Sequence, residues 1–474
     1  MIPSEQTDVQ TSTQQNEVHR VYVWAISLVG AMGGLLFGYD WVVIGGAKPF
    51  YEKFFQLTDA SLQGWAMSCA LLGCLIGALV SGILSDRFGR KTMLLAAALL
   101  FAVSSIGTAL ASDFRAFVTW RVAGGLAIGL ASNLAPMYIA EVAPARLRGV
   151  LVSLNQLTIV VGILLAQIGN WLIAEPVPAG ATAHEILNSW NGQVGWRWMF
   201  GVTAIPSALF FICMFAVPES PRWLVKKGSR EKARRILARV GGESYANHTL
   251  GDIEGALGHE RGEAGLRQLL APGIRKILLL GVTLAVFQQW CGINVIFNYA
   301  EEVFAAAGYS VSSILFNIVI TGAVNLVFTL VAMGIVDKHG RRILMLIGSA
   351  GLAFIYTLLG AFYRAHSQGP HMLVLVLAAI ACYAMSLAPV TWVIIPEIFP
   401  NRVRGAAMSV AVTALWIACF LLTYTFPLLN GRLGAAYTFW IYAAICLAGH
   451  VFIRSRLPET KGKTLEELES LLGA

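Results

Sequence analysis

Two residues of opposite charge stand where charge is expensive. Asp40 interrupts the apolar stretch 22–47, and Arg121 interrupts the stretch 116–138. A carboxylate in hydrocarbon costs at least about 2.5 kcal/mol, so an ionisable residue inside an apolar span marks a working site by default. Burial raises the pKa of an aspartate and a nearby arginine lowers it. A pair that meets in one conformation and parts in another therefore takes up and releases a proton. That assigns Asp40 and Arg121 a proton-coupling role; the plainer alternative is a static ion pair clamping two helices. A second polar group interrupts 274–300, where Gln288, Gln289, Asn294 and Asn298 are spread around Gly292. Amide side chains both donate and accept hydrogen bonds. On a straight helix Gln288 and Asn294 would not share a face. Gly292 permits the local unwinding that gathers such groups into one site. Isolated buried amides more often serve as glue between helices.

A third set of groups is charged and occurs twice. Asp86-Arg-Phe-Gly-Arg-Lys91 returns as Asp337-Lys-His-Gly-Arg-Arg342, Glu141-Val-Ala-Pro-Ala-Arg-Leu-Arg-Gly149 as Glu397-Ile-Phe-Pro-Asn-Arg-Val-Arg-Gly405, and Pro218-Glu-Ser as Pro458-Glu-Thr. Repetition in the same order is the mark of a duplicated helical module. Opposite charges at neighbouring helix ends bias a conformational equilibrium when they pair in only one of two packings. On that ground Asp86, Arg90, Glu141, Arg148, Glu219 and Arg222 in the first copy are candidate gating residues. Asp337, Arg341, Glu397 and Arg404 are their counterparts in the second.

The elements that must position these residues follow from composition. The 474 residues are 57% hydrophobic and 13% charged, with a mean hydropathy of +0.68, whereas soluble domains carry about 25% charged residues. Twelve apolar stretches near the ~20 residues of a membrane crossing fall at 22–47, 62–84, 92–111, 116–138, 149–174, 198–217, 274–300, 311–336, 342–364, 371–396, 404–428 and 435–456. Backbone groups cannot stay unpaired in lipid, so these are helices. The prediction is an all-α integral membrane protein with twelve transmembrane helices in two six-helix bundles. Its parts are a disordered cytoplasmic tail at 1–20, a first bundle at 21–217, a cytoplasmic linker of short amphipathic helices at 218–273, a second bundle at 274–456 and a cytoplasmic tail at 457–474. Apart from Lys48, Lys53, Arg115, Arg121, Arg197, Arg364 and Arg432, all 34 basic residues fall on the side of the repeated signatures. The positive-inside rule makes that side cytoplasmic, both termini included. The net charge of +8 then reports topology and lipid headgroups and gives no reason to invoke nucleic acid. The seven cysteines all lie within spans, which leaves no disulfide framework and no metal-ligand spacing. An enzyme is not expected, because no nucleophile–base pairing or phosphate loop is present.

Several runs together resemble the sugar porter family of the major facilitator superfamily, and most the bacterial proton–xylose symporter branch. They are Gly33-Gly-Leu-Leu-Phe-Gly-Tyr-Asp40, the Asp-Arg-x-Gly-Arg-Lys loop, Pro136-Met-Tyr-Ile-Ala-Glu141, Pro218-Glu-Ser-Pro-Arg-Trp-Leu224, Gln288-Gln289 with Gly292-Ile-Asn294, and Pro458-Glu-Thr-Lys-Gly462. The resemblance covers roughly 22–470. It implies a monosaccharide carrier of the bacterial inner membrane, with two bundles rocking around a central site and no cofactor beyond the co-transported proton. It also implies that Asp40 marks a proton-coupled member. A sugar ring has polar edges and apolar faces, which amides and aromatic rings respectively satisfy. Phe37, Gln156, Gln288, Gln289, Asn294, Asn298, Asn325, Trp392 and Trp416 match the implied sugar site. Three positions depart from the xylose-carrier pattern: Ile163 and Leu415 stand where glutamines are expected, and Asn298 where a tyrosine is. A site missing hydrogen-bond partners binds a hydroxyl there poorly, which points to another pentose or hexose, or to a polyol such as inositol. The competing readings are a facilitative uniporter and a transport-inactive sugar sensor. The expected oligomeric state is a monomer.

Overall fold

Backbone that leaves water must satisfy itself within its own segment, and the apolar stretches are accordingly helical. The computed structural model describes residues 19–178, 180–259, 269, 271–400 and 403–461, without the side chains of 258, 259, 272, 337 and 338. Most of both expected tails, part of the linker and the side chain of Asp337 thus lie outside the described residues. The first half comprises α1 (Arg20–Phe54), α2 (Ala60–Phe88), α3 (Arg90–Ala109), α4 (Phe114–Val142) and α5 (Ala145–Ile173). After α6 (Ala183–Asn188), a π-helical turn at Asn191–Gly195 runs into α7 (Trp196–Gly201) and α8 (Ala204–Ala216). The linker holds α9 (Pro221–Lys226) and α10 (Arg230–His259). The second half comprises α11 (Pro272–Trp290), α12 (Ile293–Asn298), α13 (Ala300–Ala306), α14 (Val311–His339), α15 (Arg341–Arg364), α16 (Pro370–Met385), α17 (Leu387–Ile398) and α18 (Arg404–Arg456). Gly434, at φ 81 and ψ 165, folds α18 into two arms. Eleven described segments are long and apolar enough to cross a membrane, and the two arms of α18 make twelve crossings.

The first crossing is longer than hydropathy predicts. It continues beyond residue 47 to Phe54, through Pro49. Lys48 and Glu52 lie one turn apart with Nζ 3.1 Å from a carboxylate oxygen, and the Tyr51 ring stacks on Phe117 at 5.1 Å. Local charge pairing and aromatic packing thus carry the helix past the point where apolar character ends. Asp40 consequently sits nearer the middle of α1 than the sequence places it.

Tight seams hold each half together. A Cβ on Gly125 would lie 1.8 Å from the Ala70 carbonyl, and one on Gly73 would lie 2.1 Å from that of Val122. Backbone meets backbone where α2 crosses α4, a packing that only small residues allow in a membrane. The linker is helical and basic, as its pattern predicts, but it also buries a core of its own. Leu224, Ala233, Leu237, Ala246 and Leu250 form a small cluster, because α10 folds back at Gly241–Gly242. Val240 joins Val23 and Ile139, tying the linker to the first half.

Candidate functional site

The Asp-x-x-Gly signature is built around a glycine turn in both copies. Gly89, at φ +97, separates α2 from α3, and a Cβ there would fall 2.3 Å from Glu219 Oε2. The bare turn lets the Glu219 carboxylate accept from the backbone N–H groups of Arg90 at 3.0 Å and Lys91 at 3.1 Å. A carboxylate at a helix N-terminus satisfies orphan donors and the positive end of the dipole. The second copy repeats this: Gly340 is at φ +88, and Glu459 accepts from Arg341 N at 2.8 Å and Arg342 N at 3.1 Å. Glu459 was not among the expected gating residues, although its place in the repeated Pro-Glu signature marks it as the partner of Glu219.

The same loops carry the ion pairs. Arg90 donates to Glu141 at 3.0 and 3.1 Å and to Asp86 at 2.9 Å, and Ser220 Oγ donates to Glu141. Arg341 lies 3.6 Å from Glu397. Arg404 donates to the Phe399 carbonyl at 3.2 Å, and Arg222 opens α9 beside the Ser220 cap. Arg148 is exposed, with no ion pair among the described residues. The Arg90–Glu141, Arg90–Asp86 and Arg341–Glu397 pairs each lie within one half.

Contacts between the halves gather at the opposite end. Gly64 sits against the Tyr424 carbonyl and Gly45 against that of Phe297. Val177 N donates to Ser312 Oγ at 2.9 Å, and Lys48 reaches Glu302 at 2.5 Å. That end is closed.

Between the two ends Asp40 and Arg121 meet. One guanidinium nitrogen of Arg121 donates to both carboxylate oxygens at 2.9 Å, and the other approaches the Asp40 carbonyl at 3.4 Å. The pair is buried, with side-chain exposures of 7% and 4%, and the guanidinium lies 5.3 Å from the centre of the Phe200 ring.

The amide-bearing span is broken in two places. Gly292 adopts the left-handed conformation at φ 88, ending α11 and starting α12, and Tyr299 separates α12 from α13. Its consequence is a hydrogen-bonded chain across the break: Asn294 donates to Gln289, Gln289 to Gln288 at 2.6 Å, and Gln288 to the Tyr383 hydroxyl at 2.6 Å. Asn298 is buried, and its Oδ1 has no partner. Gly292→Ala is expected to force a side chain into left-handed backbone and to within 2.8 Å of the Tyr442 ring. Strain of this kind costs on the order of 1–3 kcal/mol, so the variant should show a lowered melting temperature.

The expected aromatic groups divide. Phe37 and Trp416 lie 6.1 Å apart, and Trp41 joins them at 5.8 and 6.1 Å. Trp392 is 41% exposed and stands outside that cluster. Gln156 is half-buried on α5 and Asn325 buried on α14. Ile163 and Leu415 are both buried. Trp41 and Tyr383 escaped the sequence reading. Trp41 adjoins Asp40 in the chain, and that adjacency was the available signal; Tyr383 carried none. One cavity is lined by Trp41, Arg121 and Asn298 together, so the arginine of the charged pair and the amide helix border one space.

The architecture and the repeated loops define a class, and the chain belongs to the sugar (and other) transporter family, whose model matches residues 26–472. It is a multi-pass membrane protein of the major facilitator fold. It is 40% identical to the D-xylose-proton symporter of Escherichia coli K12, over 95% of this chain and 96% of that one. It is 40% identical to the arabinose-proton symporter of Bacillus subtilis 168 (95% of each chain) and to a glucose transport protein of Synechocystis (97% and 99%). The inward open conformation of the xylose transporter XylE from E. coli superposes with a TM-score of 0.83 at 38% identity, covering 95% of this chain and all of that one. XylE bound to 6-bromo-6-deoxy-D-glucose superposes at 0.79 and 39% identity, covering 96% and 99%.

Proposed function

We propose that this protein is a proton-coupled monosaccharide symporter of the bacterial inner membrane, taking up a pentose or hexose by alternating access. The observation that carries the reading is the shared cavity: Arg121, which holds Asp40 through a two-pronged pair, faces one space with Asn298 of the amide helix. Protonation of Asp40 would free Arg121, and Arg121 borders the same space as the sugar-binding helix. The two bundles, 21–217 and 274–456, move against each other around that centre. The repeated signatures face the cytoplasm with both termini, and the protein acts as a monomer. The closed far end then faces outward, and the likeness to an inward open form agrees with that orientation.

The substrate is a monosaccharide other than xylose as first choice, since Ile163 and Leu415 offer no hydrogen bond. The deciding experiment follows labelled xylose, glucose, galactose, fructose and inositol into liposomes containing the purified protein, with and without an inward proton gradient. Gradient-driven accumulation of one of them establishes the symporter and names its substrate. Equilibration that ignores the gradient makes the protein a uniporter.

A further inference from the structure

We propose that Lys48 is the latch of the outer gate, exchanging carboxylate partners between the two halves as that end opens and closes. The inference rests on the transport reading above and on the orientation given there. Lys48 lies in the penultimate turn of α1, and its ammonium side chain is 3% exposed. Two of its partners belong to the other half: Glu302 at 2.5 Å and Glu301 at 3.6 Å, both on α13. The third, Glu52 at 3.1 Å, is one turn further along α1 itself. The ammonium also lies 5.9 Å from the centre of the Tyr299 ring, whose hydroxyl donates to the Thr423 carbonyl of α18 at 2.6 Å. Lys48 is thus the point where a charge of the first half is held by the second.

A buried ammonium cannot be left alone, because an uncompensated charge is strongly destabilising. When the outer ends part, α13 carries Glu301 and Glu302 away, while Glu52 travels with Lys48. Lys48 therefore keeps one carboxylate in both states and gains two in the closed one. That difference in contacts is what a two-state element needs in order to bias an equilibrium. Glu301 and Glu302, at 22% and 23% side-chain exposure, stand at the rim and can be hydrated when released.

The mechanism fixes opposite signs for chemically identical changes. Glu302→Gln, or Glu301→Gln, removes a partner found only in the closed state and shifts the protein towards outward opening. Glu52→Gln removes the only partner in the open state and shifts it towards closure. The test is hydrogen–deuterium exchange of the full-length protein in detergent or nanodiscs. It compares the outer segment spanning residues 300–306 with the signature loops. Glu302→Gln is expected to raise outer exchange about tenfold, the size of one lost charge-assisted hydrogen bond, and Glu52→Gln to lower it. Lys48→Arg, which keeps the charge, is expected to retain the wild-type pattern. Shifts in the same direction for Glu302→Gln and Glu52→Gln, or none in either, would make Lys48 a static strut and overturn the proposal. Failure of the wild type to transport any sugar would instead defeat the transport reading, an outcome that the exchange pattern does not depend on.

Discussion

Asp40→Asn is expected to exchange sugar across the membrane at near the wild-type rate and to accumulate none against a gradient. The asparagine keeps the shape of a protonated aspartate and an oxygen that can still accept from Arg121, which donates to both carboxylate oxygens at 2.9 Å. What it loses is the change of charge. With one proton moved per sugar, an inward gradient of one pH unit supports roughly a tenfold concentration ratio, since one pKa unit corresponds to 1.36 kcal/mol. The variant should reach only equal concentrations inside and out. Exchange of labelled for unlabelled sugar needs no net proton movement and should persist. A static clamp predicts otherwise. Replacing one member of a buried pair strands the other charge, and both exchange and thermal stability would then fall together. Accumulation by Asp40→Asn at the wild-type level would remove the proton role altogether.

Much of this was legible because membranes impose few choices. Twelve crossings follow from hydropathy alone, and the end of the first moved for a reason hydropathy cannot register. The end of α1 is polar by composition, but Lys48 and Glu52 neutralise each other and Tyr51 packs on Phe117. The Asp40–Arg121 pair was readable because an isolated charge in an apolar run has few physical explanations. The loops were readable as repeats, yet their partners were not. Glu141 and Arg148 were both gating candidates, yet Glu141 binds Arg90, a contact set by how the ends of α2, α3 and α4 converge, and Arg148 is exposed. Likewise Glu219 proved to cap the N-terminus of α3 rather than to pair with a side chain. At the centre, Gly292 correctly marked the break, but Tyr383 comes from α16, and no local pattern announces which tyrosine of a distant helix will face an amide.

The amide chain leads to the second large expected effect. The amides of the chain satisfy one another, with Asn294 donating to Gln289, Gln289 to Gln288, and Gln288 to Tyr383. If the amides read the sugar, a hydroxyl entering this chain replaces hydrogen bonds rather than adding them, and binding should favour ligands that restore every link. Gln289→Ala removes the central link, leaving the Asn294 amide donor with only the Cys419 sulfur at 3.8 Å and the Gln288 oxygen without a partner. Each unsatisfied buried group costs about 1–3 kcal/mol, but that penalty falls on the free and the bound protein in different measure. The free protein can admit water, while the sugar-filled site has no room to compensate. The expected result is an apparent affinity for sugar weakened by about 10- to 100-fold, with a much smaller change in maximal rate, measured as the concentration dependence of counterflow in liposomes. Helix glue predicts the reverse: a lowered melting temperature with unchanged affinity in the molecules that remain folded. The departures on the other walls sharpen the comparison. Ile163 is buried and apolar, so Ile163→Gln supplies a donor and acceptor where the chain has none. If the amides read hydroxyls, that change should improve xylose relative to the natural substrate, and Gln289→Ala should weaken both.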